Sequence, residues 1–231
     1  MRIELYDDGI GAVEYVSHMG DDLTVVNAAR VSFAVEKQEL DDKDEKLVNY
    51  LLKHNHTSPF EHCALTMRFT VPLFIRSQHH RHRTWAYNEI SRRYTSVDMK
   101  FYQPKSFRSQ HKSNRQASTP ELINPVLSGL ISGYDKASDA LANHHTQAMA
   151  LYKSMLDSGI SREQARGILP QNLYTQYYGT VNLHNLYKFI QLRMHEGAQW
   201  EIQKVASACL EIAQKHFPHC TESYKKIKGM T

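Results

Sequence analysis

The sequence predicts an α+β fold built as a single domain. Its 231 residues are enough to bury a substantial core, and 41% of them are hydrophobic, which is ordinary for a globular protein. Apolar residues repeat with a period of two in one segment and with helical periods in several others. Because these segments do not alternate in a regular βαβ rhythm and no repeat is present, a mixed fold is favoured over a parallel sheet. Residues 1–231 are therefore expected to form one domain.

The N-terminal segment predicts two extended pieces followed by a short helix. In "MRIELYDDGIGAVEYVSHMG", Gly9 and Gly11 mark a turn between the two extended pieces. The "GIG" does not continue as a dinucleotide-binding loop, because Glu14 stands where the third glycine would be. The helix is expected over "DDLTVVNAARVSF".

A second helix and a half-buried strand are predicted next. Asp41 or Asp42 can cap the helix, whose apolar residues have helical spacing. The helix should end before "HNHTSPFEH", where Pro59 stops it. The period then changes to two, which predicts a strand. Its buried face consists of Cys63, Leu65, Met67, Phe69 and Val71.

The middle of the chain predicts one helix, one strand and a long loop. Pro72 suits the first turn of a helix over "PLFIRSQHHRHRTW". Irregular chain should follow, up to a strand at "MKFYQP". The segment "KSFRSQHKSNRQASTPEL" is polar and has no period, which is typical of a mobile surface loop.

The C-terminal half predicts helices around one more strand. A long amphipathic helix ending at Gly159 is indicated by Leu127, Leu130, Tyr134, Ala137, Leu141, Ala148, Tyr152 and Met155. Ser161 and Gln164 have the spacing of a capping box for a short helix, stopped by Pro170. "NLYTQYYGTV" has strand composition and "NLHNLYKFIQLR" should be helical. A last helix should turn Ile202, Val205, Cys209 and Ile212 inward.

The excess positive charge of the chain lies in one short segment. Between Arg76 and Arg93 there are five arginines and one acid, Glu89, which gives +4, the same as the formal net charge of the whole chain. A charge concentrated in this way suits an anionic ligand better than general adhesion. The segment "HHRHRTWAYNEISRRY" therefore indicates a nucleic-acid patch, a metal site or a pocket for a phosphorylated small molecule.

The residue types in this segment favour the phosphorylated small molecule. Arginines with Trp85 and Tyr87 would suit single-stranded nucleic acid, but no recognised nucleic-acid motif is present. Neighbouring histidines on a helix point in different directions, so they do not converge on a metal. Arginine holds phosphate through a planar and permanently charged fork, and too few acids lie nearby to pair all five.

The chain ends and cysteines predict an intracellular, cytoplasmic protein without a membrane partner. The N-terminus lacks the apolar core of a signal peptide, and no apolar run approaches the roughly 20 residues needed to span a bilayer. The three cysteines are scattered, so no disulfide framework is implied.

Four blocks in order resemble the flavin-dependent thymidylate synthases. "RHRTWAYNEIS", from Arg81 to Ser91, fits the R-H-R-x7-S signature of that family. "HNHTSPFEH", "ILPQNLYTQYYGTVN" and "FIQLRMHEGAQWEIQ" are similar to its other blocks. The resemblance covers roughly residues 45–103 and 160–217.

The resemblance implies a curved, mainly antiparallel sheet with flanking helices, assembled as a homotetramer with active sites at subunit interfaces. It implies methylation of deoxyuridine monophosphate (dUMP) to thymidylate. 5,10-Methylenetetrahydrofolate would give the carbon, and FAD reduced by NADPH would give the hydride. No metal and no nucleic-acid partner is expected.

The resemblance also implies roles for individual residues. FAD would be bound by Ser58, Arg81, His82, Arg83, Glu89, Asn182, His184 and Lys188. The family often has Arg at the position of His184, and Asn or His at that of Lys188. The nucleotide would be bound by Gln78, Arg81, Glu89, Ser91, Arg93, Arg166 and Arg193.

Three residues are expected to take part in catalysis: Arg193, Ser91 and His56. Arg193 matches the arginine at the uracil ring and would stabilise negative charge that develops there. His56 matches a histidine near the flavin and folate. No cysteine lies in the nucleotide segment, which favours hydride attack from reduced flavin over a cysteine nucleophile. Ser91 is expected to be a ligand of the nucleotide, with a covalent nucleophile as the alternative.

Overall fold

The computed structural model describes residues 1–128 and 136–230. Their strands and α-helices, in chain order, are β1 (Arg2–Glu4), β2 (Ala12–Met19), α1 (Asp22–Arg30), α2 (Asp42–Lys53), β3 (Ala64–Pro72), α3 (Leu73–His79), β4 (Ala86–Glu89), β5 (Phe107–Gln110), β6 (Ser118–Ile123), α4 (Ala137–Asp157), α5 (Arg162–Ala165), β7 (Tyr174–Asn182), α6 (Leu183–Arg193), α7 (Trp200–His216) and α8 (Pro218–Lys228). Short 3-10 turns occupy Val31–Phe33, Ser58–His62 and Arg166–Ile168.

Within the described residues, five strands form one sheet in the order β1-β2-β3-β7-β4, and β5 pairs with β6 separately. The pairs β1–β2 and β5–β6 are antiparallel, with Ile3 opposite Val13 in the first and Phe107 opposite Ile123 in the second. These strands and the helices around them confirm the predicted α+β class. No helix in these two ranges is long and apolar enough to cross a membrane.

The chain divides into two compact units. The first unit contains Met1–Phe69, Gln78–Asn88 and Tyr177–Thr231, and the second contains Thr70–Ser77 and Glu89–Gln176. The single domain expected from the length stays a prediction.

The predicted apolar faces are buried. All five residues of the period-two face, from Cys63 to Val71, are 0% exposed. The predicted inward face of α7 is also fully buried, at Ile202, Val205, Cys209 and Ile212. The periods of two and of 3.6 residues therefore identify β3 and α7 correctly.

Helix α2 begins at the predicted cap and ends before "HNHTSPFEH", as predicted, but Pro59 is not what ends it. Asp41 is its N-cap and accepts hydrogen bonds from the N–H groups of Lys43 and Asp44. The helix ends at Lys53, well before Pro59, because Asn55 takes a left-handed conformation with φ 56°. The next N–H, that of His56, donates to the Leu51 carbonyl at 2.8 Å. This hydrogen bond caps the end of α2 and fixes the position of the His56 backbone after the helix.

Helix α3 is shorter than the sequence predicts. Pro72 is the last residue of β3, and the helix ends at His79, so the R-H-R segment lies in a turn. The Tyr87 hydroxyl donates to the carbonyls of His79 and His82, which satisfies acceptors that a longer helix would have used. Tyr87 itself belongs to β4, where irregular chain was expected.

Two further predictions for the middle of the chain are wrong. "MKFYQP" forms only an isolated bridge, between Phe101 and Leu173. The polar segment predicted to be a loop contains the hairpin of β5 and β6. It is held by backbone pairing and by a hydrogen bond between the hydroxyls of Ser109 and Thr119, and neither feature needs an apolar period.

Helix α4 starts later than predicted. Leu127 lies outside it, while Leu130 and Tyr134 lie outside the described residues. The Ala137 N–H donates to the Pro125 carbonyl and the Ser138 N–H donates to Asn124 Oδ1, so these contacts fix the first turn.

The remaining predicted helices are present, but the expected capping bond of α5 is missing and one additional helix, α8, follows α7. Ser161 is the N-cap of α5, but its side chain makes no capping hydrogen bond. Helix α7 is not the last, because α8 follows it. Asp22 accepts hydrogen bonds from the N–H groups of His219 and Cys220 in the first turn of α8, a contact between residues distant in sequence.

Candidate functional site

The second unit contains a cleft of about 630 Å³. Three of the predicted site residues, Glu89, Ser91 and Arg166, line it. A cleft of this volume is within the usual range for small-molecule sites, which is roughly 300–1,000 Å³.

These three side chains lie at the end of β4 and just after α5. Glu89 is the last residue of β4, and the following Ile90 N–H donates to the Gln176 carbonyl at 2.9 Å. Glu89 and Ser91, the two neighbours of Ile90, both line the cleft. Arg166 begins the 3-10 turn that directly follows α5.

The Glu89 carboxylate is held through one of its two oxygens. Oε1 accepts a hydrogen bond of 2.6 Å from the Thr175 hydroxyl and lies 3.2 Å from Nε of Arg76. Among the described residues, Oε2 has no hydrogen-bond partner. Glu89 thus presents a fixed acceptor in the cleft.

The cleft carries more positive than negative side chains. Arg76, Arg92 and Arg166 line it together with two acids, Glu89 and Glu163. The resemblance gives no role to Arg76 or Arg92, although both belong to the cationic segment that the charge count identifies. An anionic ligand would be attracted to this lining.

Arg92 and Arg166 differ in how they are held. Arg92 donates from Nη1 to the Val97 carbonyl at 2.8 Å, and burial lowers its pKa. Arg166 is exposed, and within the part of the chain that the structure describes its side chain makes a single, long hydrogen bond, 3.4 Å from Nε to the Glu163 carbonyl. The Nη groups of Arg166 are therefore available for a bidentate contact with phosphate.

Arg93 is not brought into the cleft. Its guanidinium donates to the Tyr94 hydroxyl at 2.7 Å and lies over the ring of Tyr94, which is 75% exposed. The nucleotide-binding role expected for Arg93 stays a prediction.

In the first unit, three other predicted residues meet. Arg193 donates from Nε to Nε2 of His82 at 3.0 Å and from Nη2 to the Gln78 carbonyl at 3.4 Å. Burial and, second, the charge of Arg193 lower the pKa of His82 to about 4. His82 is therefore neutral near pH 7, with Nε2 as an acceptor, and it orients the guanidinium of Arg193.

A chain of amides continues from Gln78. Its Nε2 donates to Oε1 of Gln199 at 2.6 Å, and Nε2 of Gln199 donates to Oε2 of Glu201 at 2.9 Å. Glu201 is only 4% exposed. Gln199 and Glu201 have no role in the sequence predictions, although the block "FIQLRMHEGAQWEIQ" contains both.

The neighbouring histidines do not form a metal site. His79 is 0% exposed, and its Nδ1 lies 2.8 Å from the Tyr177 hydroxyl. Its ring packs against Trp85 and Phe189. No group of three or more His, Cys, Asp or Glu in the described part of the chain is arranged to hold a metal ion. His79 thus belongs to an aromatic core.

Several residues expected to bind FAD lie at the surface of the first unit. Arg81 and Arg83 are exposed in the turn after α3, and neither side chain has a hydrogen bond or ion pair within the described residues. Ser58 is exposed at the start of a 3-10 turn. The exposed His56 meets the ring of Tyr50 edge-on at 5.7 Å. Exposed guanidinium groups of this kind suit the pyrophosphate of a dinucleotide.

The other residues expected to bind FAD lie on α6. His184 and Lys188, one turn apart, line a cavity of about 90 Å³ with Thr57. Burial, and second the charge of Lys188, lower the pKa of His184. Asn182 caps α6 by accepting a hydrogen bond from the Asn185 N–H at 2.9 Å. This cavity is too small for a whole dinucleotide.

The three cysteines are not placed to act as nucleophiles. Cys63, Cys209 and Cys220 are all buried, and none lines the cleft. Burial raises the pKa of Cys63 to about 12 and raises those of the other two as well. Thiolates, the reactive form, are therefore disfavoured near neutral pH.

Comparisons with known proteins agree on one family. Residues 14–219 match the sequence family described as "Thymidylate synthase complementing protein". A flavin-dependent thymidylate synthase from Thermus thermophilus is 40% identical over 208 residues, which is 90% of this chain and 73% of the relative. The enzyme of the same description from Thermotoga neapolitana is 38% identical over 226 residues, covering 98% of this chain and 95% of the relative.

Solved structures with the same fold bind pyrimidine nucleotides. The UMP/dUMP methylase PolB from Streptomyces cacaoi, bound with 5-Br dUMP, has a TM-score of 0.80 and 33% identity, covering 97% of both chains. The same methylase bound with 5-Br UMP has a TM-score of 0.80 and 32% identity, covering 99% of this chain and 98% of that chain.

Proposed function

The chain belongs to the family of flavin-dependent thymidylate synthases, and on this basis we propose that it methylates dUMP to thymidylate. The observation that carries the proposal is the cleft lined by Glu89, Ser91 and Arg166. It offers a free cation and a hydroxyl for the phosphate, and a carboxylate acceptor for a donor elsewhere on the nucleotide.

FAD is the proposed flavin, with NADPH and 5,10-methylenetetrahydrofolate as co-substrates. The free guanidinium groups of Arg81 and Arg83 would pair with its pyrophosphate. Ser58, His82, Glu89, Asn182, His184 and Lys188 remain its other proposed ligands. When bound and reduced by NADPH, the flavin supplies the hydride for the methylation.

Arg193 is proposed to stabilise negative charge that develops on the uracil ring. Its guanidinium is oriented by His82 and is partly removed from water, which strengthens its interaction with an anion. Because arginine does not release its proton readily, its role is electrostatic, with no proton transfer.

Ser91 is proposed to bind the nucleotide, because within the described residues no histidine or acid is hydrogen-bonded to its hydroxyl. Its Oγ accepts a hydrogen bond from the Arg93 N–H at 3.3 Å, and no histidine is among the residues that line the cleft. A serine nucleophile needs an adjacent base. His56 is retained as a residue near the flavin and folate.

The assembly and location follow from the family resemblance. We propose a homotetramer with active sites at subunit interfaces, in the cytoplasm, without a metal or a nucleic-acid partner. In such an assembly Gln78, Arg81 and Arg93 are expected to bind the nucleotide as well, alongside the residues of the cleft.

Product analysis tests the proposal. Purified protein is incubated with dUMP, FAD, NADPH and 5,10-methylenetetrahydrofolate, and the nucleotides are separated and identified by mass. Thymidylate should form in the complete mixture and not when the flavin or the folate is omitted. A complete mixture that yields no thymidylate would overturn the proposed function.

UMP is the second candidate substrate. It is favoured by one observation, namely that a structural neighbour of this chain is a UMP/dUMP methylase bound with analogues of both nucleotides. The same assay with UMP in place of dUMP measures the preference as a ratio of kcat/KM.

A further inference from the structure

Two residues without an assigned role hold Glu89 in the cleft of the second unit. Thr175 donates its hydroxyl to Oε1 of Glu89 at 2.6 Å, although the two residues are 86 positions apart in the sequence. Arg76 places its Nε 3.2 Å from the same oxygen. Thr175 is only 5% exposed and lies on β7, so the donor sits on a rigid element.

Both contacts go to one oxygen of the carboxylate. Oε1 accepts a hydrogen bond from the Thr175 hydroxyl and lies at ion-pair distance from Arg76, whose Nε makes no hydrogen bond, whereas Oε2 has no partner among the described residues. A carboxylate held at one oxygen has a fixed plane, and its second oxygen then points in a defined direction. A hydrogen bond from a ligand to that oxygen costs less ordering entropy than one to a free side chain.

We propose that Thr175, assisted by Arg76, is a positioning residue that fixes the Glu89 carboxylate for a hydrogen-bond donor on the nucleotide. This inference rests on the proposed function, because it takes dUMP as the ligand of the cleft. Thr175 acts through Glu89 and does not itself contact the substrate.

The chain offers a closely matched control on the same strand. Thr180 also lies on β7, and its hydroxyl is 2.9 Å from the hydroxyl of Thr66 within the first unit. Replacing either threonine by valine removes one hydroxyl hydrogen bond and keeps the β-branched shape that suits a strand. Thr180 does not line the cleft.

The experiment measures dUMP binding by calorimetry and steady-state kinetics in the FAD-loaded full-length protein. Thr175→Val should raise the Kd and KM for dUMP about tenfold with little change in kcat, because the lost bond to a charged group affects binding of substrate and transition state alike. Thr175→Ser, which keeps the hydroxyl, should bind dUMP within about twofold of wild type, as should Thr180→Val.

A double-mutant cycle with Glu89→Ala tests whether Thr175 acts through Glu89. Once the carboxylate is gone, adding Thr175→Val should cause much less than the single-variant loss, because the two residues act as a unit. Equal losses in the presence and absence of Glu89 would overturn the inference. So would a Thr175→Ser protein as impaired as Thr175→Val, since that result indicates a packing role.

Failure of this inference is distinguishable from failure of the proposed function. If wild-type protein neither binds dUMP nor forms thymidylate, the proposed function itself is wrong. If wild type binds dUMP and Thr175→Val binds it equally well, only the positioning role is wrong.

Should Thr175→Val fail to fold, the positioning role is tested by comparing dUMP binding of Thr175→Ser and Arg76→Gln. The hydroxyl-retaining variant should bind dUMP normally and Arg76→Gln more weakly, and equal affinity of Arg76→Gln and wild type would overturn the role given to Arg76.

Discussion

The contact between Arg193 and His82 depends on a neutral imidazole. Nε2 of His82 accepts the hydrogen bond from Arg193 and has to be unprotonated to do so. Burial and the neighbouring guanidinium both disfavour the charged ring, which lowers the pKa of His82 from 6.5 to about 4. The contact orients Arg193, while burial of the ring and, second, the charge of Arg193 lower the pKa of His82 and make the folded state sensitive to acid.

Replacing His82 by asparagine should weaken the loss of stability in acid. As the pH falls from 6.5 towards 4, unfolded chains bind a proton at His82 whereas folded chains do not, so the stability present above the unfolded pKa is lost. His82→Asn keeps an acceptor and removes the titration. We expect the fall in unfolding free energy over this range to be smaller by on the order of 2 kcal/mol, which is less than the full shift would give because solvent screens this half-buried side chain.

Urea denaturation at a series of pH values measures this difference. His62→Asn, at an exposed histidine of the same unit, is the control and should leave the pH dependence of wild type unchanged. Identical pH dependence in wild type and His82→Asn would show that His82 is not held neutral by its surroundings.

At the level of elements, β7 depends on a close approach at Gly179. A Cβ atom there would lie 2.9 Å from Phe69 Cε2 and 3.2 Å from Trp85 Cε3. Both neighbours are buried aromatic side chains of the first unit, so neither can move away without repacking the core. The strand therefore requires glycine for packing rather than for backbone conformation.

Gly179→Ala should destabilise the protein by roughly 1–3 kcal/mol, which is the usual cost of overpacking a core. Gly167→Ala is the matched control, because a Cβ at Gly167 would meet nothing within 4 Å. Thermal unfolding compares the two. Equal melting temperatures for the two variants would contradict this account of β7.

Elements with a clear apolar period are the ones that the sequence predicts well. The buried face of β3 and the inward face of α7 follow directly from the spacing of their apolar residues. Helix α3 and strand β4 do not, because their boundary is set by the Tyr87 hydroxyl, which binds two carbonyls across a turn. The hairpin of β5 and β6 has no apolar stripe that would indicate it.

The candidate site likewise contains some residues that the sequence predicts and one that it does not. Glu89, Ser91 and Arg166 follow from motifs that are local in the sequence, and the structure brings them to one cleft, although their roles stay predictions. Thr175 has no such signal, since its contact with Glu89 joins positions far apart in the chain. This contact becomes visible only when the structure shows which distant segments lie side by side.

At the level of the whole molecule, exposed apolar side chains support the proposed assembly. Val31 is 72% exposed and Phe33 is 81% exposed, on the 3-10 turn after α1, and the following Ala34 is left-handed with φ 54°. Neighbouring exposed apolar residues are typical of surfaces that contact another protein chain. A second copy of this chain is the partner that the proposed homotetramer requires.

Phe33→Ser should weaken self-association. Loss of a buried aromatic side chain from an interface commonly costs about 2 kcal/mol or more, so the dissociation constant of the assembly should rise by roughly thirtyfold or more. Light scattering over a dilution series measures the mass, and Glu36→Ser, at an exposed polar neighbour, is the control. Equal masses for wild type and Phe33→Ser at every concentration would exclude this surface from the interface.

Release of tritium from dUMP labelled at C5 tests the proposed methylation at the reacting carbon, because methylation replaces that hydrogen. With FAD, NADPH and 5,10-methylenetetrahydrofolate, wild-type protein should release tritium.

In the same assay, Arg166→Gln should raise the KM for dUMP by roughly 10- to 100-fold, because a charged contact with phosphate is lost. Arg162→Gln, at an exposed arginine on α5 that does not line the cleft, should behave as wild type. No release from wild type in the complete mixture would contradict the function, and equal KM values for the two variants would contradict the site.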